Sequence, residues 1–172
     1  MLLSQTFNNV NVTGLDPSKK MLKIAKNKIK NNFLEKKIKV IIGDSHFIPF
    51  QKNTFDIVTI SFGLRNFKNI HLSLKEIYKI LKPFGILEIL EFSKPKNFFI
   101  KKIYHFYSNF ILTKIGSFFS KNYFAYKYLK ESINFFSEKK IQKIIIKNKF
   151  HHIQTKKLTF GIVSIYLFQK II

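Results

Sequence analysis

One short segment, residues 55–66, constrains the fold of this chain more than any other. It reads F-D-I-V-T-I-S-F-G-L-R-N and contains an apolar, β-branched run from Ile57 to Ile60. Because that run hardly alternates with polar residues, it predicts a strand covered on both faces, as in a parallel sheet. The strand is expected to stop at Ser61, and Gly63 then permits a sharp change of direction.

Strands and helices alternate through the first half of the chain. Apolar runs predict strands over 10–15, 38–42, 55–61 and 86–92, and helical spacing predicts helices that end near Asn31 and at Leu81. This alternation predicts an α/β protein with a doubly wound, Rossmann-like and mostly parallel sheet. After a further helix at 138–147, two closing strands near 151–158 and 162–169 predict an antiparallel hairpin at the sheet edge.

The length of 172 residues is most simply one domain, 1–172, which is long enough to bury a substantial core. Within it, the region 97–130 is helical in pattern and rich in aromatic residues. Twelve of the 28 phenylalanine and tyrosine residues fall between Asn97 and Leu129. This excess favours a helical insertion that lines an apolar pocket or covers the sheet as a lid, with an ordinary aromatic core layer as the alternative.

The net charge of +22 raises the question of an anionic partner. Of the 31 lysine and arginine residues, however, one is an arginine, and the lysines are spread along the whole chain. A nucleic-acid footprint is more often clustered and usually includes arginine. The charge pattern therefore argues against nucleic-acid binding and leaves peripheral contact with an anionic membrane open.

The cellular setting follows from what the sequence lacks. With no cysteine there are no disulfides or thiolate metal ligands, and the five histidines do not have the spacing of a metal site. No apolar run approaches the ~18 residues that a membrane span needs. The sequence therefore predicts a cytoplasmic protein without a metal, with membrane contact limited to the inner face.

Two aspartates stand where predicted strands end. Asp16 and Asp44 close two successive strands, and a carboxylate in that position can accept the hydroxyls of a ribose or the amino group of an adenine. A local capping or Asx-turn role is the alternative for each. Arg65, the chain's one arginine, has a similar alternative, in which it caps a helix end or pairs with a nearby carboxylate.

Several motifs resemble a known family. They are G-L-D-P-S-K-K-M-L, G-D-S-H-F-I-P-F, N-T-F-D-I-V-T-I-S-F-G-L-R-N and L-K-P-F-G-I-L-E-I-L-E-F-S-K-P, in that order. The chain resembles the ubiquinone/menaquinone biosynthesis C-methyltransferases, which are class I S-adenosylmethionine-dependent methyltransferases. The similarity covers nearly the whole chain, and the T-F-G near its end favours the menaquinone branch. The resemblance implies methyl transfer from S-adenosylmethionine to a ring carbon of a polyprenyl hydroquinone such as demethylmenaquinol.

The resemblance also implies a set of residues that bind the methyl donor. Asp16 matches the acidic residue at the ribose, and Asp44 and Ser45 match the pair beside the adenine. Ser61 matches a further serine that contacts the cofactor. No metal is implied, because the sulfonium makes the methyl group reactive by itself.

For the substrate, the resemblance implies Arg65 and Asn66, which match the family motif that faces the quinol. A ring carbon becomes nucleophilic when the neighbouring phenol, with a pKa of about 10, loses its proton. An arginine is a poor base at neutral pH but a good stabiliser of an oxyanion. We therefore expect Arg65 to stabilise the phenolate, or to position a water that takes the proton.

The chain departs from the family pattern in two places. Pro83-Phe84-Gly85 stands where the family usually has P-G-G. The family's first strand and glycine-rich cofactor loop have no counterpart, which predicts a gap between the strands that end at Asp16 and Ser61. Two alternatives to an active enzyme therefore stay open: an inactive or partial remnant of such an enzyme, and a basic nucleic-acid or membrane-surface protein.

Overall fold

The computed structural model describes residues 9–93 and 137–172, together with Thr6, Pro95 and Lys102 as single positions. The predicted aromatic insertion at 97–130 lies outside the described residues. Contacts divide the chain into two compact units, Met1–Phe50 and Gln51–Ile172. In the parts of the chain that the structure describes, no helix is long and apolar enough to cross a bilayer.

The first unit is a single strand–helix–strand motif. Its elements are β1 (Val12–Asp16), α1 (Lys19–Asn31) and β2 (Ile38–Ile42). The two strands pair in parallel, from Val12 opposite Ile38 to Asp16 opposite Ile42. Its core forms where Ile29 of α1 and Leu34 pack on Ile38, with Val12 and Val40 against them.

Helix α1 begins at Lys19, two residues after Pro17. Proline is tolerated at the first helical position, but here the residue after it, Ser18, is the N-cap, and the Ser18 hydroxyl accepts from the Met21 N–H. A serine oxygen satisfies an N–H group that the first turn cannot bond internally. The helix therefore starts at Lys19, with Pro17 just outside it.

The second unit carries a four-stranded mixed sheet. Its elements are β3 (Phe55–Ser61), α2 (Ile70–Ile80), β4 (Leu81–Phe92), α3 (Glu138–Lys147), β5 (Phe150–Leu158) and β6 (Val163–Lys170). The strand order is β3-β4-β6-β5, with β3 and β4 parallel and the other two pairs antiparallel. The predicted closing hairpin is confirmed, and β5 lies at the sheet edge as expected.

The predicted α/β fold is confirmed, with a sheet that is more mixed than expected. Among the described strands, two pairings are parallel and two are antiparallel. The ladders are β1–β2 and β3–β4–β6–β5, so β1 and β3 do not pair with each other. The gap expected between the strands that end at Asp16 and Ser61 stays a prediction, because those strands belong to different units.

The core of the second unit lies on one face of the β4–β6 ladder. Leu87 and Ile89 of β4 stand opposite Phe168 and Tyr166 of β6, and all four are fully buried. Opposed residues of an antiparallel pair project to the same face. The next position on that face of β4 is Glu91, which is also buried.

Strand β3 is less covered than its apolar run predicted. Ile57 is 56% exposed, and Ile60 is the one buried side chain of the strand. Among the described strands, β3 pairs with one neighbour, β4. The prediction of a strand covered on both faces was wrong, because apolar β-branched residues also occur on edge strands and periodicity does not distinguish the two.

The boundary between α2 and β4 also differs from the prediction. Leu81 was expected to close the helix, but its backbone is extended and it pairs with Phe55. Proline disfavours helical geometry in the residue before it, so a helix ends early ahead of Pro83. The ladder then resumes with Ile57 opposite Ile86, and residues 82–85 form a bulge.

The bulge gives a physical reason for the two glycines in the P-G-G motif of the family that the chain resembles. Phe84 has φ +61° and is 59% exposed, so a bulky residue occupies the left-handed region that suits glycine. At Gly85, an added Cβ would lie 2.9 Å from the Lys82 carbonyl oxygen and 3.1 Å from that of Asp56. Gly85 is thus required by close backbone approach, whereas Phe84 carries conformational strain.

We predict that Phe84→Gly stabilises the protein relative to Phe84→Ala. Both variants remove the ring, but only glycine relieves the positive φ, by about 1 kcal/mol after its own entropic cost. The measurement is the urea midpoint at unchanged slope. Equal midpoints, or a lower midpoint for Phe84→Gly, would show that the bulge stores no strain.

Tyr166 is a titratable group inside the core. Burial raises the pKa of its hydroxyl to about 12, and the Glu138 and Glu91 carboxylates act in the same direction while the Ser164 hydroxyl opposes them. The unfolded chain releases this proton near pH 10. Tyr166 therefore contributes stability that is fully present below pH ~10 and is lost as the pH rises through the folded-state value.

We predict that Tyr166→Phe flattens the alkaline loss of stability. Between pH 9 and pH 11, the free energy of unfolding should fall by about 1 kcal/mol less in the variant than in the parent protein. In an ultraviolet titration, the variant should also have one fewer tyrosine that ionises only at the highest pH than the parent protein has. Parallel stability curves for the two proteins would contradict this account.

Candidate functional site

In the first unit, two sequence-predicted residues lie at one end of the same ladder. Asp16 is opposite Ile42 at the carboxyl ends of β1 and β2, and the Gly43 N–H donates to the Asp16 carbonyl oxygen at 3.3 Å. Asp44 follows directly. The structure therefore brings the two candidate donor-binding aspartates to the edge where α/β proteins bind ligands.

The Asp16 side chain has a local structural role. Its Oδ1 accepts a 2.7 Å hydrogen bond from the Ser18 N–H, which closes an Asx turn ahead of α1. This is the alternative that the sequence left open. Within residues 9–93 and 137–172 the Asp16 carboxylate makes no other hydrogen bond, so its Oδ2 remains an open acceptor.

Asp44 and Ser45 lie in a tight loop. Asp44 Oδ1 accepts from the His46 N–H at 2.9 Å and lies 2.8 Å from His46 Nδ1. The loop turns back through a bridge to Phe47 and is anchored by the buried side chain of Ile48. The Asx-turn alternative is thus observed here too, with the Asp44 carboxylate half-exposed at the strand end.

In the second unit, the end of β3 turns sharply into a single helical turn. Ser61 is exposed, and the next residue, Phe62, donates its N–H to the Leu90 carbonyl oxygen of β4 at 2.8 Å. A 3₁₀ turn over Leu64–Asn66 follows, held by the buried side chain of Leu64. This turn places Arg65 beside the end of β4 and leaves Asn66 exposed.

The sequence suggested that the chain changes direction at Gly63. In the structure the unusual backbone conformation is one residue earlier. Phe62 has φ +52°, whereas Gly63 has an ordinary φ of −105°. A Cβ at Gly63 would lie 3.3 Å from Ile60 Cγ2, so close packing is what favours glycine there. Phe62, and not Gly63, has the left-handed conformation in this turn.

Arg65 forms a buried ion pair with Glu91. Its Nη1 lies 2.7 Å from Glu91 Oε1, and the two side chains are 11% and 2% exposed. The same Oε1 accepts from the Phe92 N–H at 3.0 Å. Pairing with a carboxylate was the alternative role for Arg65, and it is the role that the structure shows.

Two aromatic rings that contact each other lie on the same side of the guanidinium. Its central carbon lies 5.8 Å from the Phe62 ring centroid and 5.1 Å from that of Phe92, and the two centroids are 4.7 Å apart. Planar guanidinium groups are attracted to aromatic faces, which a lysine matches less well. This environment gives a physical reason for an arginine at position 65 in a lysine-rich chain.

Glu91 is the residue that sequence reasoning missed. It was quoted within L-E-F-S-K-P but was given no role. The sequence offered only part of the signal, a carboxylate inside an apolar strand, and nothing in it linked Glu91 to an arginine 26 residues away. Removing one partner of a buried pair costs about 3–5 kcal/mol, so Glu91 belongs with the site residues.

No cluster of three metal-binding side chains occurs among the described residues. The predicted donor-site residues Asp16, Asp44 and Ser45 belong to the first unit, and Ser61, Arg65 and Asn66 belong to the second. Each group lies at the carboxyl ends of parallel strands. Their roles toward ligands stay predictions.

Comparison with solved structures identifies the fold. A methyltransferase from Aquifex aeolicus described as SAM-dependent matches 94% of this chain and 69% of its own, with a TM-score of 0.67 and 16% identity. The [4+2]-cyclase SpnF matches 99% of this chain and 70% of its own, with a TM-score of 0.74 and 13% identity. The chain thus has the class I methyltransferase fold, which also supports other reactions.

The sequence comparisons identify the family. A family model described as the ubiE/COQ5 methyltransferase family matches residues 1–170. The chain belongs to this family, and the prediction from its motifs is confirmed.

Individual relatives agree with this assignment. The Wigglesworthia glossinidia brevipalpis protein named ubiquinone/menaquinone biosynthesis C-methyltransferase UbiE is 44% identical over 90% of this chain. A Geotalea daltonii protein of the same name is 37% identical over 98% of this chain and 72% of its own length. A Geobacillus protein named demethylmenaquinone methyltransferase is 39% identical over 92% of this chain and 68% of its own length. The chain spans 62% of the length of the Wigglesworthia relative.

Proposed function

We propose that this protein C-methylates a polyprenyl hydroquinone with S-adenosylmethionine as methyl donor. The substrate would be demethylmenaquinol or the equivalent ubiquinone precursor. The observation that carries the proposal is the family match across residues 1–170. The names of the relatives support both quinone branches, and the Geobacillus relative supports the menaquinone branch.

The first unit would bind the donor, which supplies an activated methyl group. Asp16 would accept a ribose hydroxyl through Oδ2 while Oδ1 keeps its bond to Ser18. Asp44 and Ser45 would lie beside the adenine, on the loop anchored by Ile48. Ser61, which is exposed at the end of β3 in the second unit, stays a predicted cofactor contact.

Arg65 and Asn66 would act on the quinol. The guanidinium keeps its positive charge while paired with Glu91, and it can donate a hydrogen bond to an oxygen that is losing its proton. This would favour the phenolate, whose charge spreads to the neighbouring ring carbon. The Phe62 and Phe92 rings around the guanidinium provide the apolar surroundings that suit an aromatic substrate.

We predict that Asp16→Asn weakens donor binding without disturbing the fold. Asparagine keeps an oxygen that can accept from the Ser18 N–H but replaces the second acceptor with a donor. Calorimetric titration of the 172-residue chain with S-adenosylmethionine should show a dissociation constant raised at least about tenfold, since lost hydrogen bonds to a charged group are worth about 1.5–3 kcal/mol. Asp56→Asn is the matched control, because Asp56 lies at the start of β3 and pairs with Lys82 in solvent.

The proposal is then tested directly by transfer of a labelled methyl group to demethylmenaquinol and to a benzoquinol precursor. Product with either substrate would support the proposal and identify the branch. A chain that binds no donor and yields no product would overturn it, and would favour the partial remnant that the sequence left open.

Cytoplasmic location with peripheral membrane contact is the second part of the proposal. Helix α1 presents six exposed lysines and no acidic residue: Lys19, Lys20, Lys23, Lys26, Lys28 and Lys30. Met21 and Ile24 are exposed on the same helix. A basic helix with exposed apolar residues is suited to an anionic lipid surface, where the polyprenyl chain of the substrate would also reside.

We predict that neutralising α1 reduces binding to phosphatidylglycerol vesicles by at least about tenfold, since each lysine near such a surface contributes about 1 kcal/mol. The test variant changes Lys20, Lys23 and Lys26 to glutamine, and cosedimentation measures binding. The matched control makes the same charge change on α3, at positions 139, 143 and 147, all exposed lysines. An equal loss in both variants would show that net charge, and not α1, governs binding.

A further inference from the structure

We infer that Glu91 is a positioning residue, which fixes the direction in which Arg65 presents its N–H groups. Its consequence for methyl transfer rests on the proposed function. The positioning itself is a property of the free protein and is measurable without a substrate.

The position of the carboxylate is set by the backbone of β4. Glu91 is 2% exposed, and its Oε1 accepts both the Phe92 N–H at 3.0 Å and Arg65 Nη1 at 2.7 Å. Because Oε1 accepts from the main-chain N–H of the next residue, the Glu91 side chain cannot rotate freely. Arg65 is therefore bound to a fixed point in the sheet.

The two rings restrict the remaining freedom of the guanidinium. Phe92 directly follows Glu91, so two adjacent residues supply both the carboxylate and a ring centroid 5.1 Å from the guanidinium carbon. Phe62 supplies the second ring at 5.8 Å. The hydrogen bond restrains Nη1, and the pair of rings closes off one side of the guanidinium.

The pairing leaves hydrogen-bonding capacity unused. A guanidinium and a carboxylate can form two parallel hydrogen bonds, but this pair is joined through Nη1 and Oε1. Arg65 Nε and Glu91 Oε2 are buried without a hydrogen-bond partner among the described residues. Buried polar atoms without partners are uncommon and occur at functional sites, so the pair is not arranged for stability alone.

The first test uses the fact that Arg65 is the only arginine in the chain. Protein labelled with ¹⁵N-arginine therefore gives one Nε–H signal in an NMR spectrum, and its exchange with solvent reports how firmly the group is held. We expect slow exchange in the parent protein. Glu91→Gln keeps the size of the side chain and removes its charge, and it should accelerate exchange at least about tenfold.

Glu88→Gln is the matched control. Glu88 lies three residues earlier on β4 and therefore projects to the opposite face of the sheet. The control should leave the Arg65 signal and its exchange rate unchanged. If Glu91→Gln also leaves them unchanged, or if the Nε–H of the parent protein exchanges as fast as that of free arginine, the inference is overturned. The comparison of the parent protein with free arginine does not depend on whether any variant folds.

The second test separates positioning from binding. Glu91→Gln should lower kcat at least about tenfold, with a dissociation constant for S-adenosylhomocysteine within about twofold of the parent value. Introduced on top of Arg65→Lys, it should cause little further loss, because it acts through the guanidinium. An equal loss in both backgrounds would overturn the role in catalysis. If the parent protein shows no methyl transfer at all, the proposed function fails, and the NMR exchange rates still decide the positioning.

Discussion

The buried ion pair between Arg65 and Glu91 connects the core of the second unit to the turn that follows β3. Glu91 continues the row of buried side chains that begins with Leu87 and Ile89, and it ends that row with a charge. A charge in that position is tolerated only with a partner, and the turn after β3 provides one. The left-handed backbone at Phe62 is part of the same arrangement, because it lets the chain turn while the ring stays beside the guanidinium.

The two aspartates at the strand ends of the first unit also have a structural role. Asp16 Oδ1 and Asp44 Oδ1 each accept from an N–H two residues ahead, and this bond shapes the turn that follows the strand. A carboxylate has more acceptor sites than one such bond uses. A structural role and a ligand-binding role are therefore compatible in one side chain, and the structural role fixes the geometry that a ligand would meet.

Local patterns predicted the elements well and their surroundings poorly. The bounds of β2, β3 and α3 follow from apolar spacing and capping, which are properties of neighbouring residues. The exposure of Ile57 depends on which strands flank β3, and the conformation of Phe62 depends on where its ring packs. The role of Glu91 depends on a partner 26 residues away in sequence. These features arise from tertiary contacts, so no local pattern carries them. The motif resemblance supplied Arg65 and Asn66 as site residues but gave no partner for the arginine.

Strand β4 is expected to be among the last strands of the second unit to open in local unfolding. It is flanked by β3 on one side and β6 on the other, whereas β3 has one neighbour in its ladder. Amides of a doubly flanked strand are expected to open last, and those of an edge strand earlier. The two ends of the ion pair therefore belong to segments of different local stability. A fluctuation that frees the β3 turn would leave the Glu91 carboxylate buried without its cation, and that electrostatic cost holds the more mobile segment to the less mobile one.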